Sequence, residues 1–188
     1  MKSNYYEQQL VYHCGPTLKG IKAGSMIALK YSDRVSLADF FRRYHLLFRD
    51  QGIKYLQLMR QREHILMLFY RPQMLSCVLR RPKAIGILKE YGYPVNNGLS
   101  PMLDFLLKRM RDCDGFPHEI GLFLGYPPQD VKGFIERKGQ DFLFCGYWKV
   151  YANESAVKRL FQCYNECINK MWGRLLAGES LQDAIKAA

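Results

Sequence analysis

The sequence predicts an α+β fold: a mixed or antiparallel four-stranded sheet with helices packed on it, in an element order compatible with a ferredoxin-like arrangement that carries an enlarged helical insert. Three observations predict it. Segments of strand character stand at 25–31, 54–60, 64–71 and 141–151; a stretch dense in helix starts separates the third from the fourth; and a long amphipathic pattern follows the last.

Ser25 to Tyr31 reads as a short strand. Ser36, with Asp39 three residues on, supplies an N-cap and an acidic first turn for a helix that runs to about Asp50 and stops at Gly52. Lys54 to Arg60 and His64 to Arg71 form two strands joined by the polar turn Gln61 to Glu63, a hairpin whose second arm is apolar enough to be central. From Pro72 to Lys138 the pattern is helical in short pieces. Pro82 interrupts the first, Ser100-Pro101 caps the next, and Pro117 and Pro127-Pro128 begin two more. Asp141 to Tyr151 returns to period two and predicts the last strand, with Phe142, Phe144, Gly146, Trp148 and Val150 on one face and Leu143, Cys145, Tyr147, Lys149 and Tyr151 on the other. Asn153 caps a long helix to about Ala177 with an apolar stripe that includes Ala156, Cys163, Tyr164, Cys167 and Met171, and Ser180 opens a short final helix. No linker, repeat or low-complexity tract interrupts the chain. It reads as a single domain, 1–188, with a helical insert at about 72–138 and C-terminal helices at about 153–188.

A chain of 188 residues, 48% hydrophobic and 14% aromatic, has the apolar content to bury a substantial core. The start, Met1 to Gln9, is polar, and no apolar run approaches the roughly 20 residues of a membrane helix, so no signal peptide and no membrane span is expected and a cytoplasmic protein is. Six cysteines without a secretory signal read as free thiols. Cys163 and Cys167 share a helix face but have no histidine beside them, so they are expected to be core thiols and no metal site is expected. The net charge of +11 favours anionic partners, whether small molecules, acidic proteins or nucleic acid. The basic residues are dispersed in short clusters, the pattern of solvated helical faces.

Three segments concentrate chemistry. In His13-Cys14-Gly15-Pro16-Thr17-Leu18-Lys19-Gly20 a thiol lies beside a histidine at a Gly-Pro break expected to open a helical turn, where a helix N-terminus and nearby cations would favour the thiolate. In Cys145-Gly146-Tyr147-Trp148-Lys149 a glycine interrupts an aromatic strand, a sign of a bulge or a close approach, and alternation aims Cys145, Tyr147 and Lys149 the same way. In Phe116 to Val131, His118 and Glu119 are expected in the first turn of a helix, which suits His118 as a neutral base. The candidate catalytic residues are therefore Cys145, Cys14, His118 and Glu119. His13, Lys19, Tyr126, Tyr147, Trp148 and Lys149 are the candidate ligand contacts. The two short helices around Tyr126-Pro127-Pro128 also suggest a helix-turn-helix, but Val131, Phe134 and Ile135 mark the second as mostly buried. Phosphate-cradling glycine loops, the dinucleotide fingerprint and the His-Glu-x-x-His motif are missing from the sequence, which leaves the cofactor unspecified.

These segments carry a family resemblance. Through His13 to Lys22, through His118-Glu119-Ile120-Gly121-Leu122-Phe123-Leu124-Gly125-Tyr126-Pro127-Pro128 with Asp130-Val131 and Gly133-Phe134-Ile135, and through Cys145 to Tyr151, the chain resembles the bacterial family known as domain of unknown function 3793, found mainly in anaerobic Gram-positive bacteria. The resemblance implies a bacterial cytosolic protein in which free thiols persist; it implies no activity, cofactor or catalytic assignment.

The leading expectation is a protein that binds an anionic small molecule or redox cofactor in a cleft joining the three segments, with Cys145 or Cys14 as nucleophile or soft ligand, His118 as base and Lys149 or Lys19 as the anion's partner. The alternatives are a nucleic-acid-binding module that stacks bases on exposed tyrosines, and a non-enzymatic scaffold for an acidic protein. Whether the chain is an enzyme is left open.

Overall fold

The computed structural model describes residues 5–30, 34–113 and 115–187. In chain order the elements are α1 (Tyr5–Leu18), β1 (Gly24–Lys30), α2 (Arg34–Asp50), β2 (Lys54–Arg60), β3 (His64–Tyr70), α3 (Pro72–Leu79), α4 (Pro82–Glu90), α5 (Leu99–Asp112), α6 (Ile120–Phe123), α7 (Pro128–Glu136), β4 (Phe144–Cys145), β5 (Lys149–Val150), α8 (Glu154–Leu176) and α9 (Leu181–Lys186). They divide between two compact units, Met1–Pro72 with Tyr164–Ala188, and Gln73–Cys163. None of the described helices is long and apolar enough to cross a membrane.

The first unit is built on an antiparallel sheet of order β1-β3-β2. The hairpin forms as the alternation predicts, with Gln61 N–H closing its turn on the His64 carbonyl at 2.8 Å. β3 is central because its last four residues, Met67 to Tyr70, are buried on both faces, and a strand of that composition has no polar face to present to water. Phe69 packs against Phe48 and Tyr55, with ring centroids 5.7 Å away in both cases. Phe48 and Phe69 are almost wholly withdrawn from water, each worth about 2–3 kcal/mol of apolar burial. Gly52 ends α2 as expected. Its φ of +66° is a conformation that side-chain-bearing residues rarely adopt, and it lets Ile53 N–H return to the Phe48 carbonyl at 2.7 Å. Tyr31 lies outside the described residues, and α2 starts at Arg34, ahead of Ser36.

Two expectations for this unit are corrected. The sheet has three strands rather than four. The Gly15-Pro16 step does not open a helix: α1 runs through it to Leu18, with Pro16 in its last turn. Proline supplies no N–H to the carbonyl one turn back, but the exit of α1 is held by other donors. Ile21 N–H and Lys22 N–H both reach the Pro16 carbonyl, and Arg71 donates Nε–H to the Thr17 carbonyl at 2.7 Å, a second N–H to the Leu18 carbonyl and a third to the Gln51 carbonyl at 2.8 Å.

The second unit holds the helical pieces and a small ribbon. α4 and α7 begin with prolines, which need no N–H there, and Gly98 rather than Ser100 occupies the N-cap of α5. The segment expected as one long strand is instead two short arms, β4 and β5, folded back on each other in the register Phe144↔Val150 and Cys145↔Lys149. Gly146 N–H closes the turn on the Trp148 carbonyl at 3.1 Å. α8 emerges close to its expected bounds and supplies residues to both units. Its buried stripe is Val157, Phe161, Tyr164, Cys167, Met171 and Leu175, whereas Ala156 and Cys163 are exposed, so Cys163 is not a core thiol. Ser180 caps α9 with a full capping box, its side chain accepting from Asp183 N–H while the Asp183 carboxylate accepts from Ser180 N–H.

Candidate functional site

The ribbon is held against α7 by one buried carboxylate. Asp130, in the first turn of α7, accepts from the Trp148 indole N–H at 2.8 Å, from Tyr151 N–H at 2.9 Å and from Ala152 N–H at 3.1 Å. A buried carboxylate needs such donors, and the helix N-terminus adds a favourable dipole. Trp148, thus fixed, stacks on Tyr126 at 4.5 Å with 26° between the rings, and meets Phe161 edge-on at 4.5 Å. Burial pushes the Tyr126 phenol up to about 12. Gly146 lets the turn approach this aromatic wall: a Cβ there would stand 2.4 Å from Phe161 Cε2. The glycine sits in the turn rather than inside a strand, and the group close to it is an aromatic ring of the same unit rather than a ligand or another backbone.

Between the ribbon, the α6 turn and α7 lies a cleft of about 320 Å³, within the range of small-molecule sites. Six sequence-selected residues line it: His118, Tyr126, Cys145, Tyr147, Trp148 and Lys149. Two segments separated by about twenty residues of chain therefore converge, and the lining is mainly apolar and aromatic. Cys145 and Lys149 sit directly opposite on the two arms, so their Cβ atoms fall about 5 Å apart on one face. The sequence aimed them the same way along one strand. They share a face because they are cross-strand partners. Lys149 Nζ donates to the Gly139 carbonyl at 2.8 Å and lies 4.9 Å from the Phe142 ring centroid and 5.9 Å from that of Phe134. His118 is exposed and packs edge-on against Phe134 at 4.9 Å.

Glu119 is not part of this lining. It stands just before the single turn of α6 and is 1% exposed, accepting from Arg109 Nε–H at 2.9 Å and from the Tyr93 hydroxyl at 3.2 Å. The Glu119 contact holds the Arg109 guanidinium above its ordinary pKa. Glu119 thus ties α5 and the 93 loop to the start of α6, while its neighbour His118 faces the cleft.

The first segment lies in the other unit and forms a junction of its own. Cys14 is fully buried near the C-terminal end of α1, and burial pushes its thiol up to about 12 although the nearby Lys22 ammonium pulls the other way. That is the reverse of the depressed value expected beside a helix N-terminus. Lys22, 7% exposed, is brought down to about 8 by its burial and donates to Ser25 Oγ at 3.4 Å; Ser25 in turn shares a 2.8 Å hydrogen bond with Thr17. His13 is exposed against Tyr12, and desolvation lowers its pKa. Lys19 donates to the carbonyls of Ile185, at 3.0 Å, and Ala187, satisfying the end of α9. Sequence reasoning named Asp130 only within the family motif and gave no role to it or to Arg71. The position of Asp130 just after Pro127-Pro128, in a helix first turn, is the signal that marks it.

Among the described residues no group of three His, Cys, Asp or Glu is placed to hold a metal ion. The three-stranded sheet carries Tyr55, partly exposed, and Tyr70, buried, while Tyr5 and Tyr12 are exposed on α1 and Tyr147 at the ribbon turn. The fold and the cleft define an α+β protein whose contiguous unit carries an aromatic pocket with a thiol and an ammonium at its edge. The chain belongs to the family described as a protein of unknown function (DUF3793), which it matches over residues 10–185. No curated protein and no solved structure matches it.

Proposed function

We propose that the cleft of residues 116–149 binds a small aromatic anion. The observation that carries this reading is the charge balance of the lining. Asp130 is the one carboxylate among the described lining residues, and its oxygens are occupied by three N–H donors; Lys149 has no carboxylate partner among the described residues and keeps N–H donors beyond the one given to Gly139. An aromatic-walled pocket with an ammonium that no described carboxylate pairs favours a flat ligand that carries negative charge. Tyr126 and Trp148 provide the stacking wall, Lys149 the anion contact and Cys145 a thiol beside the bound molecule.

The test uses 8-anilinonaphthalene-1-sulfonate, an aromatic anion, and its uncharged analogue N-phenyl-1-naphthylamine. Trp172→Phe leaves Trp148 as the sole tryptophan, so energy transfer reports binding in the cleft. The anion is expected to bind saturably with transfer from Trp148, and Lys149→Met is expected to weaken it about fivefold, the worth of one charge pair at contact distance in water, with no effect on the neutral analogue. Equal weakening of both probes, or no transfer from Trp148, overturns the reading.

A further inference from the structure

Six cysteines are free, and they differ in what surrounds them. Cys14 and Cys167 are buried, Cys113 is half-buried, and Cys77, Cys145 and Cys163 are exposed. Of the exposed three, Cys145 alone lines the cleft of about 320 Å³, opposite the ammonium of Lys149 in the ribbon register. The Gly139 carbonyl and the rings of Phe134 and Phe142 hold that ammonium in place. The residue after the thiol is Gly146, exposed and without a side chain to shield it. The described lining includes no second cysteine, so a disulfide formed at Cys145 with an incoming molecule has no resolving thiol within the cleft.

We propose that Cys145 is a site of S-thiolation by small disulfides that carry a carboxylate on a flat ring; the proposal rests on the anion-binding reading of the cleft. The Cys145 thiol loses its proton to solvent, and the thiolate attacks one sulfur of the small disulfide. A new S–S bond forms between Cys145 and that half, the original S–S bond breaks, and the other half departs as a thiolate with the electron pair. Cys145 is oxidised to a mixed disulfide and the departing half is reduced. Lys149 holds the carboxylate while the ring lies against the Tyr126–Trp148 wall. With no resolving cysteine in the cleft, the adduct remains until an external thiol removes it.

The experiment compares 5,5'-dithiobis(2-nitrobenzoate), an aromatic anionic disulfide, with uncharged 2,2'-dithiodipyridine on the full chain. Both are used below stoichiometry and the adducts are assigned by peptide mass mapping. Cys77 and Cys163 serve as exposed controls in the same molecule. The anionic reagent is expected to label Cys145 about fivefold or more faster than either control, and Lys149→Met to remove that preference while labelling by dithiodipyridine is unchanged; Lys149→Arg is expected to retain it. Labelling of Cys145 no faster than the controls, or equal slowing of both reagents by Lys149→Met, overturns the proposal. The anilinonaphthalene titration on the same proteins separates the two failures. If it remains Lys149-dependent while Cys145 shows no preference, thiolation is wrong and the anion site stands; if both fail, the cleft is not an anion site.

Discussion

Lys22 offers the sharpest test of the first unit. A lysine 7% exposed, brought down to about 8 from its ordinary 10.5, stands near a buried thiol and two buried hydroxyls. At pH 7 the folded and the unfolded chain both carry the proton, and the fold bears the cost of a charge withdrawn from water. The gap between about 8 and 10.5 sets that cost at about 3 kcal/mol. Between those values the unfolded chain binds more protons than the folded one, so this contribution makes stability rise with pH, and about 1 kcal/mol is recovered by pH 9. Lys22→Met removes the ammonium and keeps most of the volume, giving up the Ser25 contact. Denaturant unfolding of the two proteins, followed by far-ultraviolet circular dichroism, is expected to show the variant more stable at pH 7 by up to about 3 kcal/mol, with the margin shrinking by about 1 kcal/mol at pH 9. The comparison stops there because Cys14, raised from 9.0 to about 12, begins to act in the opposite sense: the unfolded chain releases the thiol proton first, and stability falls as pH rises between those values. A margin that is constant from pH 7 to pH 9, or a wild type more stable at pH 7, refutes the reasoning.

Three further outcomes are expected in the second unit. Gly146→Ala forces a methyl to 2.4 Å from Phe161 and is expected to cost about 2 kcal/mol in thermal unfolding, with Phe161→Leu recovering part of the loss in the double variant. Asp130→Asn replaces an acceptor by a donor facing three N–H groups; a loss of roughly 3 kcal/mol and a red shift of Trp148 emission in the Trp172→Phe background are expected. Glu119→Gln breaks the partly buried pair with Arg109 and is expected to cost about 2–3 kcal/mol in denaturant unfolding.

Much of the fold was legible because the signals were local. Gly52, the polar turn at 61–63, the prolines at 82 and 127–128 and Ser180 each act within a few residues, and each element they mark is present; Pro117 is the exception, for α6 starts only at Ile120 and leaves His118 and Glu119 in the turn before it. The fourth strand was not legible. Residues 142–151 alternate in the same way whether they run straight or fold back about Gly146–Trp148, because each arm of a hairpin keeps period two; membership of the main sheet is a long-range fact that no alternation encodes. The Gly15-Pro16 step misled for a related reason: proline in a last helical turn removes one local donor, but Arg71, distant in sequence, supplies two to the last carbonyls of α1 and a third to Gln51 beyond α2. At the candidate site, the thiol and amine of the ribbon were visible from their residue types. The burial of Glu119 beside exposed His118 was not, since neighbouring residues in a short turn point in divergent directions. Cys163 shows the same limit: it flanks the buried run Val157, Phe161, Tyr164 and Cys167, and a wide apolar stripe does not say which of its edges meets water.

The second unit is one unbroken run of sequence, 73–163, whereas the first is assembled from two pieces, its α1 and α9 joined by Lys19 across most of the chain. During synthesis the ribosome therefore finishes every residue of the cleft before it makes the segment from 164 onward that the first unit still awaits. The ribbon, α7 and the Asp130 clamp draw on that one run alone, whereas α1 and the three-stranded sheet, although made earlier, still lack the residues from 164 onward. A chain cut after residue 163 therefore keeps every residue of the cleft and loses the residues of α8 and α9, from Cys167 to Ile185, that complete the core of the first unit.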